Sequence, residues 1–160
     1  MTRASHARPA TPAVVVRPAE AADAAEWLRM RTTLWPEAPD DHPGEIRAYF
    51  ERPPPRSVTL VAALPGGGLA GFLEAGTRSF AEGCGSSPVG YIEGWWVDPA
   101  HRRRGIGHAL VAAAEAWARQ LGCTEMASDA ERGNAGSRAA HVALGYAEVA
   151  EIVCYRKGLA

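Results

Sequence analysis

Residues 89–121 confine the fold more tightly than any other stretch of this chain. Val89 to Val97 is rich in β-branched and aromatic side chains, as a strand is, and Asp98-Pro99 stops it. From Ile106 the spacing changes. Ile106, Leu110, Ala113, Trp117 and Leu121 recur at helical intervals. Between strand and helix lies Arg102-Arg103-Arg104-Gly105-Ile106-Gly107. Glycines there let a ligand approach the backbone, and the helix start offers unpaired N–H groups at its positive dipole end. Three arginines add attraction for a polyanion. Such a turn is a phosphate-binding device. It is not the nucleotide loop of P-loop enzymes, because no Gly-Lys-Ser/Thr follows, and it lacks the third glycine of a dinucleotide fingerprint.

The rest of the chain adds strands and helices around this unit. Residues 1–12, rich in Ala, Pro, Ser and Thr, read as a disordered leader, and 13–158 as one domain. Val14 to Arg17 predicts a first strand, and a helix follows to about Thr33. Asp41-His42-Pro43 starts a second helix that Pro53-Pro54-Pro55 ends. Val58–Ala63 and Leu69–Arg78 are strands joined at Gly66-Gly67-Gly68. Behind the central helix come a strand over Cys123–Asp129, a helix over Gly136–Leu144 and a last strand over Ala147–Tyr155. The order β-α-α-β-β-β-α-β-α-β predicts a mixed α/β sheet of about six strands.

Several functions are excluded by bulk properties. A net charge of −1 over 160 residues argues against a nucleic-acid partner. Cys84, Cys123 and Cys154 form no Cys-x-x-Cys pair, and the histidines show no ligand spacing, so no metal is expected. No apolar run approaches the ~20 residues of a membrane span, which leaves a cytoplasmic protein as the expectation.

The turn at Arg102–Gly107 resembles the (Gln/Arg)-x-x-Gly-x-(Gly/Ala) turn of the GCN5-related N-acetyltransferases, and the order of elements is similar to that family from about residue 13 to residue 157. Asn134 with Ala140-His141-Val142-Ala143-Leu144-Gly145-Tyr146 resembles the family segment that closes over pantetheine, with His141 where many members carry a tyrosine. Further phrases narrow the likeness. They include Leu34-Trp35-Pro36, Leu73-Glu74-Ala75, Ser86-Ser87-Pro88-Val89-Gly90, Pro99-Ala100-His101-Arg102-Arg103 and Ala127-Ser128-Asp129-Ala130. Together they resemble a subgroup of aminoglycoside 6′-N-acetyltransferases.

That resemblance implies a single-domain fold with a mostly antiparallel sheet of six to seven strands and about four helices. It implies acetyl-CoA as cosubstrate, an aminoglycoside as acceptor, and a homodimer, commonly through the C-terminal strands. Trp95, Trp96, Val97, Arg102, Arg103, Arg104, Gly105, Ile106, Gly107, His108 and Asn134 would meet the cofactor. Trp35, Glu93 and Asp129 match acceptor contacts, and Phe80 stands alone where the subgroup has a more aromatic loop. Ala150 replaces a late acidic residue, with Glu148 and Glu151 nearby as substitutes.

The chemistry needs a base for the ammonium, a donor for the oxyanion and an acid for the departing thiolate. Glu93 lies mid-strand among Tyr91, Ile92, Trp95 and Trp96, where desolvation would raise its pKa; Gly94 beside it permits a bulge. Asp129, at a strand end, is the alternative base or an ammonium ligand. His141 is either the acid or a structural histidine. Two other readings stay open: an acetyltransferase for a polyamine, small metabolite or protein amine, and a non-catalytic acyl-CoA-binding module.

Overall fold

The computed structural model describes residues 14–38 and 40–159; the leader over residues 1–12 lies outside them. The elements run β1 (Val15–Pro18), α1 (Ala24–Leu34), α2 (His42–Glu51), β2 (Ser57–Ala63), β3 (Leu69–Arg78), β4 (Val89–Val97), α3 (Ile106–Gln120), β5 (Met126–Ser128) and α4 (Ala135–Ala143). The strands form one sheet in sequential order. All neighbours are antiparallel except β4 and β5, which the α3 crossover makes parallel.

Both faces of the sheet are covered, so β2 and β3 read as nearly continuous apolar runs. On one face Ile106, Leu110, Val111 and Ala114 of α3 pack on Leu60, Leu73, Ala75 and Ile92. On the other, Trp27 and Met30 of α1 and Ile46 of α2 pack on Val61, Leu69 and Phe72. Phe72 and Leu110 are wholly buried. Truncating either to alanine would remove transfer energy and leave a cavity, costing about 2–5 kcal/mol.

The α/β class and the four helices agree with expectation, but the described residues form five strands, not six to seven. The first difference is the segment after β4: only Met126–Ser128 of the expected Cys123–Asp129 strand pairs. The second is the C-terminus. Residues 147–159 carry no regular structure, although Val149, Ile152, Val153 and Tyr155 have strand-forming character. A strand needs a partner for its backbone groups, and nothing among the described residues pairs the segment.

One irregularity of the sheet matters for the site. Glu74 pairs with Gly94 and the next residue, Ala75, pairs with Ile92. Glu93 is therefore the extra residue of a β-bulge, which re-aims side chains locally. Beyond the last β4–β5 pair, Ile92 with Ser128, the two strands no longer pair.

Candidate active site

The bulge divides the site between the two faces of the sheet. On the α3 face, Asp98 caps a 3₁₀ turn over Pro99–His101, its Oδ1 accepting from the Ala100 N–H at 3.1 Å. The chain then reverses through positive φ at Arg103 (57°) and Gly105 (79°) and enters α3. The amides of this reversal and of the first helical turn have no helical acceptor, and Arg103, Arg104 and His108 in the same stretch are exposed. Arg102 is used differently. Its Nε donates to the Val97 carbonyl at 2.9 Å and so ties the turn to the end of β4.

Gly107 is required by packing. A Cβ there would lie 2.6 Å from Cζ2 of Trp95. The indole of Trp95 thus rests on the start of α3, and its buried Nε1–H has no partner among the described residues. Edge-on to Trp95, at 5.6 Å, stands His141, which meets Tyr146 in the same manner at 5.7 Å. His141 Nδ1 donates to the Ser137 carbonyl one turn earlier in α4, at 2.8 Å. With Nδ1 so engaged, Nε2 of the neutral ring is an acceptor, and the Ser128 hydroxyl lies 2.9 Å from it. Tyr146 is held to Glu115 at 3.2 Å; burial first, then that carboxylate, pushes its hydroxyl pKa up. Asn134 caps α4, its Oδ1 accepting from the Ser137 N–H at 3.0 Å.

These residues suit a pyrophosphate-bearing thioester cosubstrate: open amides beside free arginines, a gap beyond Ile92 and Ser128, and an orphaned indole N–H at its edge.

The opposite face carries Trp35, Glu93 and Asp129. Trp35 caps the C-terminus of α1 and packs against Gly94, where a Cβ would run into Cη2 and Cζ2 of the indole. His42, buried at the start of α2, donates Nε2–H to the Trp35 carbonyl at 2.9 Å. The Arg31 guanidinium stands 5.3 Å from the Trp35 ring. Glu93 is not desolvated, in contrast to expectation. Its side chain is 42% exposed and grips Arg78 with both oxygens, at 3.1 and 2.6 Å. The bulge turns it away from the packed rings of β4. Arg78 in turn covers Tyr91, its Cζ 3.3 Å from the ring centroid. The Tyr91 hydroxyl donates to Asp129 at 2.9 Å, and burial together with that bond pushes its pKa up to about 12.

The carboxyl that burial does push up is Glu74, opposite Gly94. It accepts from Trp27 Nε1 at 2.9 Å, and Arg31 Nε lies 3.0 Å away, close enough to pair charges although its N–H is not aimed for a hydrogen bond.

Trp35, Glu93 and Asp129 are thus brought to one face and linked through Arg78 and Tyr91, while Trp95 and His141 gather on the other. Trp96 and Val97 are part-buried where β4 ends; Trp96 packs beside α1 under Arg29. Phe80 is 66% exposed in the loop before β4. Glu148 and Glu151 lie on the C-terminal segment, engaged by Arg138 at 2.8 Å and Arg132 at 3.5 Å. Three residues escaped the sequence reading: Arg78, Tyr91 and Ser128. Strand alternation was the available signal for Ser128, which must face away from its neighbour Asp129. Among the described residues no group of three or more His, Cys, Asp or Glu side chains is placed to hold a metal. No described helix is long and apolar enough to cross a membrane.

Comparison with known proteins bears on this arrangement. The model of the acetyltransferase (GNAT) family matches residues 22–146. An aminoglycoside N(6′)-acetyltransferase type 1 of Klebsiella aerogenes is 46% identical over 147 residues, covering 91% of this chain and 97% of that one. The enzyme of the same name from Serratia marcescens is 39% identical, covering 83% and 91%. Among solved structures, AAC(6′)-Iy in complex with the bisubstrate analog CoA-S-monomethyl-acetylneamine superposes with a TM-score of 0.84 at 34% identity, covering 91% of this chain and 99% of that one. AAC(6′)-Ih from Acinetobacter baumannii gives 0.85 at 35%, covering 92% and 99%.

Proposed function

The chain belongs to the acetyltransferase (GNAT) family, and from that premise we propose that it transfers the acetyl group of acetyl-CoA to the 6′-amino group of aminoglycosides. The observation that carries this reading is the bulge at Glu93, which sets a face of carboxylates and indole back to back with a face of open amides. The printed functions of the relatives supply the substrate class.

Acetyl-CoA, when bound, supplies an acetyl group already activated as a thioester, so positioning does much of the work. The amides and arginines of 103–108 hold its pyrophosphate, and Trp95 and Val97 line the path to the bulge. Asn134 supports that path by capping α4. On the acceptor face Trp35 offers an apolar plate for a sugar ring, and Glu93 and Asp129 receive ammonium groups. Glu93, through a water, takes the proton of the attacking amine. His141, when it carries a proton on Nε2 as well as Nδ1, protonates the departing sulfur and is left as the neutral ring. A positioned acid or base contributes roughly 10²–10⁴-fold. Release of CoA with kanamycin A, set against its analogue bearing a 6′-hydroxyl, tests the reaction and its regiochemistry. We expect turnover with the first only, with kcat falling at least 100-fold in Glu93→Ala. Turnover with neither, while acetyl-CoA still binds, sinks the antibiotic reading.

A second acceptor class, a shorter polyamine, is favoured by the distal rim. Ala150 offers no charge there, and Glu148 and Glu151 must first give up Arg138 and Arg132, which leaves fewer carboxylates for a long polycation. A panel of spermidine, kanamycin A and tobramycin separates the two by kcat/KM.

The domain spans residues 13–158 and acts in the cytoplasm as a homodimer. The edge of β5 supports the dimer: among the described residues β5 pairs only with β4, and a cleft of about 1210 Å³ separates it from the C-terminal segment. Val149, Ile152, Val153 and Tyr155 of that segment are 62–93% exposed. Exchanging these segments between two copies would pair the edge and bury the side chains. Sedimentation should give twice the monomer mass, and a chain ending at residue 146 should sediment as a monomer.

A further inference from the structure

Arg78 has no part in the reaction described so far, yet its guanidinium stands where the acceptor-side groups converge. It ends β3, opposite Val89. From there its Nε and Nη2 reach the two oxygens of Glu93 at 3.1 and 2.6 Å. Its plane covers Tyr91 at 3.3 Å, and the hydroxyl of Tyr91 is bonded to Asp129. Asp129 adds its own attraction for the guanidinium. A planar cation therefore fills the space between the two carboxylates that an incoming ammonium would need.

Resting on the acetyltransferase reading above, we propose that Arg78 is a built-in counterion that holds the acceptor's ammonium subsite at Glu93 and is displaced when a polycationic acceptor binds. Three features support displacement over a fixed ion pair. Arg78 and Glu93 are 43% and 42% exposed, and half-exposed pairs of this kind are held weakly. The bulge leaves Glu93 outside the β-ladder, so no backbone pairing fixes it against a new partner. The guanidinium also lies at the end of a strand, with solvent beside it to receive it once it swings off Tyr91.

The device is selective. A monoamine merely exchanges one cation for another at Glu93 and gains little. An acceptor with several ammonium groups gains from its remaining contacts, so only such a ligand displaces Arg78. Displacement also frees the Glu93 carboxylate to accept a proton only once the acceptor is present.

The test is calorimetric binding of kanamycin A to CoA-saturated wild type, Arg78→Gln, Glu93→Gln and the double variant. Arg78→Gln should bind three- to tenfold more tightly, with a steeper loss of affinity between 50 and 200 mM salt. Glu93→Gln should cost more affinity in the Arg78→Gln background than in wild type. Arg78→Lys, which keeps the charge but not the fork, should fall between wild type and Arg78→Gln. Weaker or unchanged binding in Arg78→Gln overturns the proposal and makes Arg78 a residue that orients Glu93. Failure of wild type and Arg78→Gln alike to bind kanamycin A instead overturns the aminoglycoside reading; spermidine then takes its place in the same comparison. The pair itself needs no ligand to be checked. The Arg78 Nε–H resonance should be protected from exchange in wild type and lost in Glu93→Gln, and its absence in wild type overturns the proposal outright.

Discussion

The two faces of the sheet at the Glu93 bulge are built on different plans. The α3 face is made of backbone: a turn with positive φ at Arg103 and Gly105, a helix start, and the gap beyond Ile92 and Ser128. Its polar groups are largely unspent, down to the orphaned N–H of Trp95. The α1 face is made of side chains, each already partnered: Glu93 by Arg78, Asp129 by Tyr91, Glu74 by Trp27 and Arg31. A ligand approaching the first face finds vacant donors. One approaching the second must exchange partners. Pre-formed backbone sites suit a cosubstrate that never varies, whereas exchangeable side-chain pairs let the acceptor range be tuned without disturbing the fold.

The comparison breaks most sharply at two glycines, one on each face. A methyl group at Gly94 would meet the Trp35 ring at 2.3 Å, and one at Gly107 would meet Trp95 at 2.6 Å. Each change forces an indole to move, with overpacking costs of about 1–3 kcal/mol. Gly94→Ala should raise the acceptor KM at least tenfold and leave the Kd of CoA within twofold. Gly107→Ala should do the reverse. Calorimetry with each ligand decides it, and parallel losses in both variants would mean that the faces are not independent.

The next largest effect falls on His141, which belongs to the α3 face. His141→Gln keeps a hydrogen-bonding side chain near Ser128 but removes the imidazole. The expected outcome is a kcat lowered by about 10²-fold, in line with the loss of a general acid, with acceptor KM unchanged. Ser128→Ala should lower kcat by less, about three- to tenfold, because it removes only the hydroxyl 2.9 Å from Nε2. Steady-state kinetics of the two variants side by side decides it, and equal losses would mean that His141 acts only by holding Ser128.

The same division explains what could be read in the sequence. β3 and β4 fall where their apolar and aromatic runs meet the flanking breakers, and the Arg102–Gly107 turn is legible because a backbone site is written in a few consecutive residues. Gly145, at positive φ just past α4, likewise marks the end of that helix by a local rule, whereas the cap at Asn134 was not read. The α1 face is assembled from residues far apart in the chain. Trp27 meets Glu74 across 47 positions, and Tyr91 meets Asp129 across 38. No window of sequence contains both partners. For that reason the desolvated carboxylate was expected at Glu93, mid-strand among rings, when the bulge exposes Glu93 and burial falls on Glu74. The last strand was misplaced for a similar reason. Its residues have the right character, but pairing is a property of the sheet edge that they meet, and among the described residues, 147–155 pair with none.

The smallest effect tests whether the partners on the α1 face are as exchangeable as argued. Tyr91→Phe keeps the ring under Arg78 and deletes only the hydroxyl that donates to Asp129. Loss of that bond costs about 1 kcal/mol, a fall in Tm of about 2–4 °C for a chain of this size. With Asp129 released, the acceptor KM should drop about twofold. The alkaline limb adds a second check. Because the folded-state pKa is raised from 10 to about 12, the stability this group contributes is present below its unfolded pKa near 10. It is lost as pH rises through the folded value. Wild type should therefore lose Tm more steeply than Tyr91→Phe between pH 10 and 12, measured by thermal melts. A rise in KM on freeing Asp129 would show instead that Tyr91 holds the carboxylate in the position the acceptor needs, and the α1 face would be as fixed as the backbone site behind it.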